Sequence, residues 1–293
     1  MHATINKNLI TRLLSQALAK PVEINELRSV GGGSISRAYK ISSSAGMFFL
    51  KVNDRENAST MFRTEANGLD LLREKSTFTI PQVVSSYNEG NTAYLLMDFI
   101  DSLSRKNNYW EDLGIKLAEL HRQTNSSFGL SENNFIGSLP QQNDFAEDWS
   151  SFFIDHRILP MVKMAINNGL VTNAFVANIE IVLNNIVDLM PKETPAFVHG
   201  DLWSGNLMVD AKGQPCLIDP AVYYGHREMD IAFSHLFGGF DQRFYETYQD
   251  VYPLEPGFDN RLDLYNIYPL LVHLNLFGRS YLGQIENIIA RFT

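Results

Sequence analysis

The sequence predicts an α+β fold of two lobes: an N-terminal antiparallel sheet with one inserted helix at residues 1–100, and a mainly helical C-terminal lobe at residues 101–293. Two observations support this prediction. Short strand-like segments bounded by turn residues dominate the first part, and apolar positions at helical spacing dominate the second. The chain has 293 residues, of which 45% are hydrophobic, which is enough to build a core in each lobe.

The first lobe begins with an amphipathic helix and continues with short strands. Leu9, Leu13 and Ala17 share one face of that helix, and Pro21 ends its pattern. A second helix is predicted from about Glu56 to Lys75, where apolar positions return at helical spacing. The strands are predicted at Glu26–Val30, Ala38–Ser42, Met47–Val52, Pro81–Ser86 and Ala93–Ile100.

The second lobe is predicted to be mainly helical, and Leu113, Leu117 and Leu120 mark one of its helices. The segment Ala196–Asp219 is an exception, because two strand-like pieces there flank turn-rich residues. These pieces are Ala196–Val198 and Pro215–Ile218, and further helices are predicted at Phe152–Asn168, at Phe175–Leu189 and within Asp259–Arg291.

The composition limits the classes of partner. The formal charge is −9, and no cluster of Lys and Arg marks a nucleic-acid surface. No apolar run approaches the ~18 residues of a membrane span. The single cysteine, Cys216, cannot form an internal disulfide. We therefore expect a cytoplasmic monomer without nucleic-acid or membrane partners.

The strongest local signal is the segment His199–Asn206. Asp201 and Asn206 have the spacing of a kinase catalytic loop, in which the aspartate orients and deprotonates the acceptor hydroxyl and the asparagine holds Mg²⁺. Asp219 follows the strand-like Cys216–Ile218, so its carboxylate is expected at a strand terminus, where it can bind the same Mg²⁺. A lone Asp or Asn in a loop is usually a turn former. The joint pattern instead favours Asp201 as the catalytic residue and Asn206 and Asp219 as metal ligands.

Two residues of the first lobe complete the pattern. Lys51 lies in a predicted strand, where kinases place the lysine that pairs with the α- and β-phosphates of ATP. Glu65 lies on the inward-facing stripe of the predicted helix, and an ionised carboxylate there would be costly unless it were paired. We therefore predict an ion pair between Lys51 and Glu65. Two separately solvated side chains are the alternative.

A glycine-rich segment is assigned to the ATP phosphates. Gly31, Gly32, Gly33 and Ser34 lie between the first two predicted strands, and glycines let backbone amides approach phosphates closely. The run is neither a G-x-G-x-x-G pattern nor a P-loop, and taken alone it is equally consistent with a hairpin turn. Its position ahead of Lys51 favours a nucleotide-binding loop.

The connection between the lobes is assigned to adenine. Met97, Asp98, Phe99 and Ile100 end the last strand of the first lobe, where a kinase has its hinge. We predict that the backbone of this segment binds the base.

Together these residues resemble the fructosamine kinase (ketosamine 3-kinase) family, which is related to aminoglycoside and choline phosphotransferases and has a protein-kinase-like fold. The similarity runs from about Leu27 to near the C-terminus. Its marks are the glycine-rich segment, His199–Asn206 with Trp203 inside it, Ile218–Asp230, and Tyr268–Gly278.

The resemblance implies ATP and Mg²⁺ as cofactors and phosphorylation of the O3 hydroxyl of a ketosamine, free or protein-bound. Ribulosamines and fructosamines belong to this acceptor class. The phosphorylated adduct then decomposes and returns the amine, which implies a role in deglycation. Trp203 and His226 are assigned to substrate binding, and packing of the loop is the alternative for Trp203.

The resemblance also suggests structural roles. His199 and Asp230 are expected to hold the catalytic loop. Ser34 stands where some family members carry a cysteine, so no thiol switch is predicted, and Cys216 is expected to be an inert core thiol. Asp219 is followed by Pro220 and not by Phe-Gly, and the stretch from Asp219 to Asp230 is too short for a long regulated segment, so constitutive activity toward a small acceptor is expected.

Two alternative functions stay open. The first is another phosphotransferase of the same superfamily, acting on an aminoglycoside, choline or homoserine. The second is a pseudokinase that binds a nucleotide without catalysis. The joint presence of Lys51, Asp201, Asn206 and Asp219 argues against the second alternative.

Overall fold

The computed structural model describes residues 6–31 and 35–293. Its N-terminal elements are α1 (Lys7–Ala17), β1 (Ile24–Val30), β2 (Arg37–Ser43), β3 (Gly46–Asn53), α2 (Ala58–Lys75), β4 (Val83–Glu89) and β5 (Thr92–Asp98). The strands form one antiparallel sheet in the order β1-β2-β3-β5-β4. The predicted sheet with an inserted helix is confirmed.

Strand β3 shows how the sequence separates core from cleft. Phe48, Leu50 and Val52 are buried in a cluster that includes the apolar face of α1. Because side chains alternate along a strand, Phe49 and Lys51 point to the opposite face. That face is directed toward α2 and the C-terminal region.

The C-terminal elements are α3 (Tyr109–His121), β6 (Asn134–Ile136), β7 (Leu139–Gln141), α4 (Trp149–Phe153), α5 (Leu159–Asn167), α6 (Asn173–Leu189), β8 (Ala196–Val198), β9 (Leu207–Val209), β10 (Pro215–Leu217), β11 (Tyr223–Gly225), α7 (Glu228–Leu236), α8 (Gln242–Val251), α9 (Phe258–Phe277) and α10 (Leu282–Phe292). A π-helical stretch, Ile154–Ile158, joins α4 to α5. The short strands pair as β6–β7, β8–β11 and β9–β10. The mainly helical second region is confirmed.

Helix α9 lies at the centre of this region. Most of its residues are buried, including Tyr265, Leu270 and Leu274, as expected for a helix that is apolar on nearly every side. Its C-terminal turns bring His273 and Phe277 to the cleft.

Several elements were not predicted. The three-residue strands β6, β7, β9 and β11 are too short to show a period. β6 pairs with β7 and β9 with β10 across short turns, whereas the partner of β11 is β8, which is distant in the chain. The sheet ends at Asp98 and α3 begins at Tyr109, and a domain boundary at residue 100 stays a prediction. Within residues 6–31 and 35–293, none of the helices combines the length and apolarity needed to span a bilayer.

Candidate active site

The catalytic loop follows β8 and is held by Asp230. The Asp230 carboxylate accepts hydrogen bonds from the backbone N–H of His199 at 2.7 Å and of Gly200 at 2.9 Å. Asp230 is 1% exposed and lies in the first turn of α7, where the helix dipole favours a negative charge. The predicted role of Asp230 is confirmed.

His199 ties the loop to the chain ahead of Asp219. Its Nε2 lies 3.1 Å from the carbonyl oxygen of Ile218, and because a carbonyl only accepts, this nitrogen carries the proton. Nδ1 then accepts from the backbone N–H of Asp201 at 3.3 Å. Burial lowers the pKa of His199, although Asp230 opposes the shift, and this favours the neutral ring. The predicted structural role of His199 is confirmed.

Asp201 and Asn206 are in direct contact. Asn206 Nδ2 donates to Asp201 Oδ2 at 2.7 Å and to the Asp201 carbonyl at 2.9 Å, which fixes the carboxylate within the loop. Burial raises the pKa of Asp201 to about 7, against the hydrogen bond from Asn206, which lowers it. A carboxylate with a pKa near the operating pH is well suited to act as a general base.

Asp219 stands beside Asn206 in an uncommon conformation. Its φ is +52°, in the left-handed region that residues other than glycine rarely adopt. The preceding residue, Ile218, donates its N–H to the Asn206 carbonyl at 3.1 Å. The Asp219 side chain is 43% exposed, so its carboxylate is accessible from the cleft.

Lys51 joins the two regions of the molecule. Its Nζ lies 2.7 Å from Glu65 Oε1, which confirms the predicted ion pair, and 2.5 Å from Asp219 Oδ1, a contact that was not predicted. Burial lowers the pKa of Lys51, but the carboxylates of Asp219 and Glu65 outweigh burial and raise the pKa above its ordinary value. Lys51 is therefore a cation at neutral pH.

These groups line one cleft with a volume of ≈ 510 Å³. Apolar side chains that suit a flat ring line part of it: Phe49, Met208 and Ile218. Sequence reasoning assigned none of these three residues to the cleft. Ile218 begins a segment that carries the family resemblance, whereas no motif marks Phe49 or Met208.

Another part of the cleft wall is aromatic. The ring centroids of Phe237 lie 6.0 Å from Trp203 and 4.8 Å from His273, and His273 lies 5.5 Å from Phe277. Trp203, His273 and Phe277 line the cleft itself. His273 and Phe277 belong to the segment Tyr268–Gly278, so the signal that could have identified them was present in the sequence.

Trp203 lines the cleft on the side of Asp201 and Asn206. Its ring folds back over Gly205 so closely that a Cβ at this position would clash with it. Both stacking on a ligand and packing of the loop are compatible with this position, because the ring is only partly buried.

The predicted ATP-binding backbone is placed only in part. Gly31 lines the cleft, while Gly32, Gly33 and Ser34 lie outside the described residues. The β1–β2 hairpin on which this segment lies is formed as predicted.

The predicted hinge differs from expectation. The backbone N–H of Asp98 donates to the carbonyl of Gln82 at 2.9 Å, and that of Phe99 donates to Met47 at 3.3 Å, so neither is free to bind adenine. Met97 is buried in the core and its side chain is not part of the cleft wall. None of the residues 97–100 is among those that line the cleft, so the binding of adenine by this segment stays a prediction.

The prediction that His226 binds substrate is wrong. His226 is 0% exposed, and its ring lies 5.9 Å from that of Trp149 and 5.5 Å from that of Tyr265. Its Nδ1 accepts from the backbone N–H of Glu228 at 3.3 Å. The residue looks polar and accessible in the sequence, but the surrounding aromatic rings enclose it.

The donor groups fit Mg²⁺. This hard cation prefers oxygen ligands and keeps several waters and phosphate oxygens in its shell, so one or two protein groups suffice. The Asp219 carboxylate and the Asn206 side chain provide such groups on adjacent chain segments. Among the described residues, no group of three or more His, Cys, Asp or Glu side chains is placed so that it could hold a metal ion.

Comparison with known proteins gives concordant results. A family model described as fructosamine kinase matches residues 6–293. A protein-ribulosamine 3-kinase, chloroplastic, of Arabidopsis thaliana is 37% identical over 92% of this chain and 83% of its own length. An Enterococcus faecium protein provisionally named ketoamine kinase is 39% identical over 90% of this chain and 94% of its own.

Solved structures agree with these sequence matches. A Thermobifida fusca protein provisionally named fructosamine-3-kinase superposes with a TM-score of 0.86 at 31% identity, covering 97% of this chain and 98% of that one. The aminoglycoside phosphotransferase APH(4)-Ia superposes with a TM-score of 0.62 at 14% identity, covering 98% and 100%. The second likeness concerns the fold alone, which is protein-kinase-like, as predicted.

Proposed function

Because the chain belongs to the fructosamine kinase family, we propose that it transfers the γ-phosphate of ATP to the O3 hydroxyl of a ketosamine, with Asp201 as the catalytic base. One observation carries this assignment. Asp201, Asn206, Asp219 and Lys51 line a single cleft, and Lys51 is paired with Glu65, as phosphoryl transfer in this fold requires.

Lys51 and Asp219 act on the nucleotide. The Lys51 ammonium is held between two carboxylates and stays protonated, so it can pair with the phosphates without a change in charge state. Asn206 and Asp219 would hold Mg²⁺, which would supply positive charge against the negative charge that develops during transfer. Fixed charges of this kind lower the barrier because they need no reorganisation during the reaction.

Asp201 acts on the acceptor. Its carboxylate accepts the proton of the sugar hydroxyl while that oxygen attacks the γ-phosphorus, and the bond from the γ-phosphorus to the β,γ-bridging oxygen breaks in the same displacement. The hydrogen bond from Asn206 orients the carboxylate. The raised pKa of Asp201 makes it a stronger base than a solvated aspartate.

The aromatic wall formed by Trp203, His273 and Phe277, with Phe237 packed against it, suits the remainder of a ketosamine. A ketosamine combines a sugar with an amine that is cationic near neutral pH. Aromatic rings bind the apolar face of a sugar and attract a cation over their faces. We assign Trp203 to the sugar. A monomeric, cytoplasmic enzyme stays a prediction.

An acceptor panel tests this proposal. ADP release is measured with Mg²⁺ and, in turn, ribulose-lysine, fructose-lysine, choline and an aminoglycoside, and the phosphorylated carbon is located by NMR. We expect turnover on a ketosamine with the phosphate on O3. Turnover only on choline or an aminoglycoside would refute the acceptor assignment. ATP binding without turnover on any acceptor would support a pseudokinase.

The variant Asp201→Asn tests the base. Turnover should fall by about 10²–10⁴, because the amide cannot accept the proton, while ATP still binds. Asp148→Asn is the matched control: Asp148 caps α4 by accepting from the Ser151 N–H at 2.9 Å, and asparagine caps a helix equally well. Equal turnover in Asp201→Asn and in the control would exclude Asp201 as the base.

A further inference from the structure

A buried polar network lies behind the cleft. Gln141 Nε2 donates to the carbonyl of Ala221 at 3.0 Å, and Asn134 Nδ2 donates to the carbonyl of Val222 at 2.9 Å. Both donors belong to the β6–β7 hairpin, and they are 1% and 7% exposed. Both acceptors belong to the short segment that follows Asp219.

The network fixes the orientation of each amide. Gln141 Nε2 also donates to Asn134 Oδ1 at 2.8 Å, and Asn143 Nδ2 donates to the same oxygen at 2.9 Å. Tyr268 donates its hydroxyl to Gln141 Oε1 at 2.7 Å, and Arg157 Nη2 donates to Asn143 Oδ1 at 2.8 Å. Exchange of oxygen and nitrogen in Gln141 or Asn134 would break several bonds at once, so the donors toward residues 221 and 222 are fixed.

The segment held by this network begins at a strained residue. A left-handed φ at a residue other than glycine persists only where the surroundings over-determine it. At Asp219, Lys51 holds the carboxylate at 2.5 Å. The Ala221 N–H donates to the His199 carbonyl at 3.0 Å. The carbonyls of Ala221 and Val222 accept from Gln141 and Asn134, respectively.

The hairpin that carries the donors is itself fixed. Gly137, at its turn, has a φ of +59°, and a Cβ there would come within 3.0 Å of Ile35 Cδ1 and of Leu276 Cδ1. The hairpin tip therefore packs closely against Ile35 and against Leu276 of α9. A displacement of the hairpin would disturb residues on both sides.

We propose that Gln141 and Asn134 are positioning residues that hold Asp219–Val222 so that the Asp219 carboxylate stays directed at the metal site beside Asn206. This inference rests on the proposed function, which assigns Asp219 to Mg²⁺. Hydrogen bonds from the β6–β7 hairpin would then keep Asp219–Val222 in one conformation. This gives a physical reason why the active site needs no regulated segment after Asp219 to become ordered.

The test measures metal-dependent nucleotide binding and not turnover. Gln141→Met keeps the length of the side chain and removes its donors. We expect the Mg²⁺ concentration for half-maximal binding of a non-hydrolysable ATP analogue to rise about 10- to 100-fold, the usual effect of losing a residue that orients a metal ligand. Binding of the analogue in EDTA should match the wild type.

Asn266→Leu is the matched control. Asn266 is 1% exposed and donates from Nδ2 to the Ala232 carbonyl at 2.9 Å, so the variant loses the same kind of buried bond away from the cleft. It should lose stability but keep the Mg²⁺ dependence of the wild type. An equal shift in both variants would overturn the proposal, because general loosening would then explain the effect.

Asp219→Asn separates this inference from the proposed function. No change of Mg²⁺ dependence in Asp219→Asn would refute the metal assignment itself. A shift in Asp219→Asn without a shift in Gln141→Met would overturn the positioning role and leave the function standing. If Gln141→Met does not fold, hydrogen exchange of the wild type decides: the Ala221 amide should exchange as slowly as core amides of β3, and fast exchange would overturn the proposal.

Discussion

Two of the charged clusters among the described residues can be compared, because both pair basic with acidic side chains but differ in charge balance. The cleft cluster comprises Lys51, Glu65 and Asp219, and the interior cluster comprises Glu193, Arg227, Glu228 and Arg261. In the cleft cluster one cation serves two carboxylates through single contacts of 2.7 and 2.5 Å, and one of these carboxylates is accessible to a ligand. In the interior cluster each carboxylate has its own guanidinium.

In the interior cluster, each carboxylate is bound by one arginine through two nitrogen atoms. Arg227 donates from Nε and Nη2 to the two oxygens of Glu193 at 2.7 and 2.8 Å. Arg261 donates from Nε to Glu228 Oε2 at 2.7 Å and from Nη2 to the other oxygen, and Glu228 is 0% exposed. Such matched forks leave no charge for a ligand. The unbalanced cleft cluster can attract a cation and phosphates, whereas the balanced interior cluster can only support the fold.

The largest effect is expected in the interior cluster. Arg261→Met leaves Glu228 buried without its guanidinium, which should lower the free energy of unfolding by about 3–5 kcal/mol and the melting temperature by roughly 10 °C. Turnover per folded molecule should be unchanged, because Arg261 is not part of the cleft. Chemical denaturation and an assay of the folded fraction measure the two quantities.

The control for this variant is Arg291→Met. Arg291 pairs with Asp263 on the surface, where the side chains are 56% and 35% exposed, so its loss should cost no more than about 1 kcal/mol. Loss of activity in Arg261→Met without loss of stability would contradict the distinction between the two clusters.

A substitution in the cleft cluster should lower activity more than stability. Lys51→Met removes the fixed cation that pairs with the phosphates, and kcat/KM should fall by about 10²–10³, as when one preorganised donor is lost from an active site. The melting temperature should fall less than in Arg261→Met, because water can reach the Glu65 and Asp219 side chains, which are 17% and 43% exposed, whereas Glu228 is 0% exposed. Lys116→Met is the control, since Lys116 Nζ lies 6.0 Å from the Phe78 ring and outside the cleft. A large loss of stability with normal kcat/KM would show that the Lys51 cluster is structural.

The site residues that could be predicted from the sequence are those whose positions a local pattern fixes. Lys51 and Glu65 were found because a strand period and a helical stripe each fix a direction over several residues, and both directions point to one cleft. Asp201, Asn206 and Asp219 were found because their spacing along the chain is fixed by the chemistry. The α2 and β3 boundaries differ from prediction by only a few residues.

The remaining features depend on partners that are distant in the chain. His226 was misassigned because its burial is set by Trp149 and Tyr265, which no local pattern connects to it. The strand β11 exists only because β8 pairs with it. Gln141 was overlooked for the same reason, since its role depends on contacts with Ala221. Such information resides in tertiary pairing and not in local spacing.

The neighbour of the interior cluster, His226, should make stability depend on pH. Burial lowers the pKa of His226 from 6.5 to about 4, so between these values the unfolded chain binds one more proton than the folded protein. The corresponding stability is fully present above pH ~6.5 and is lost as the pH falls toward 4, which amounts to about 3 kcal/mol.

His226→Phe keeps a ring between Trp149 and Tyr265 but cannot titrate. Urea unfolding should show that the free energy of unfolding falls less between pH 7 and pH 4.5 in the variant than in the wild type. Equal losses would contradict the assignment of this pH dependence to His226.

The smallest effect is expected at Cys216, which no cluster contains. Its strand partner Met208 lines the cleft, but Cys216 itself is 0% exposed, and burial raises the pKa of the thiol to about 12. The reactive thiolate is therefore scarce at neutral pH, and a reagent reaches the sulfur only when the chain opens. Iodoacetamide should modify the native enzyme slowly and leave its activity unchanged, whereas the urea-unfolded chain should react fully. Fast modification of the native protein with loss of activity would instead mean that the β9–β10 pair opens readily. The part of the cleft beside β9 would then be less rigid than the contacts of Asn206 and Asp219 indicate.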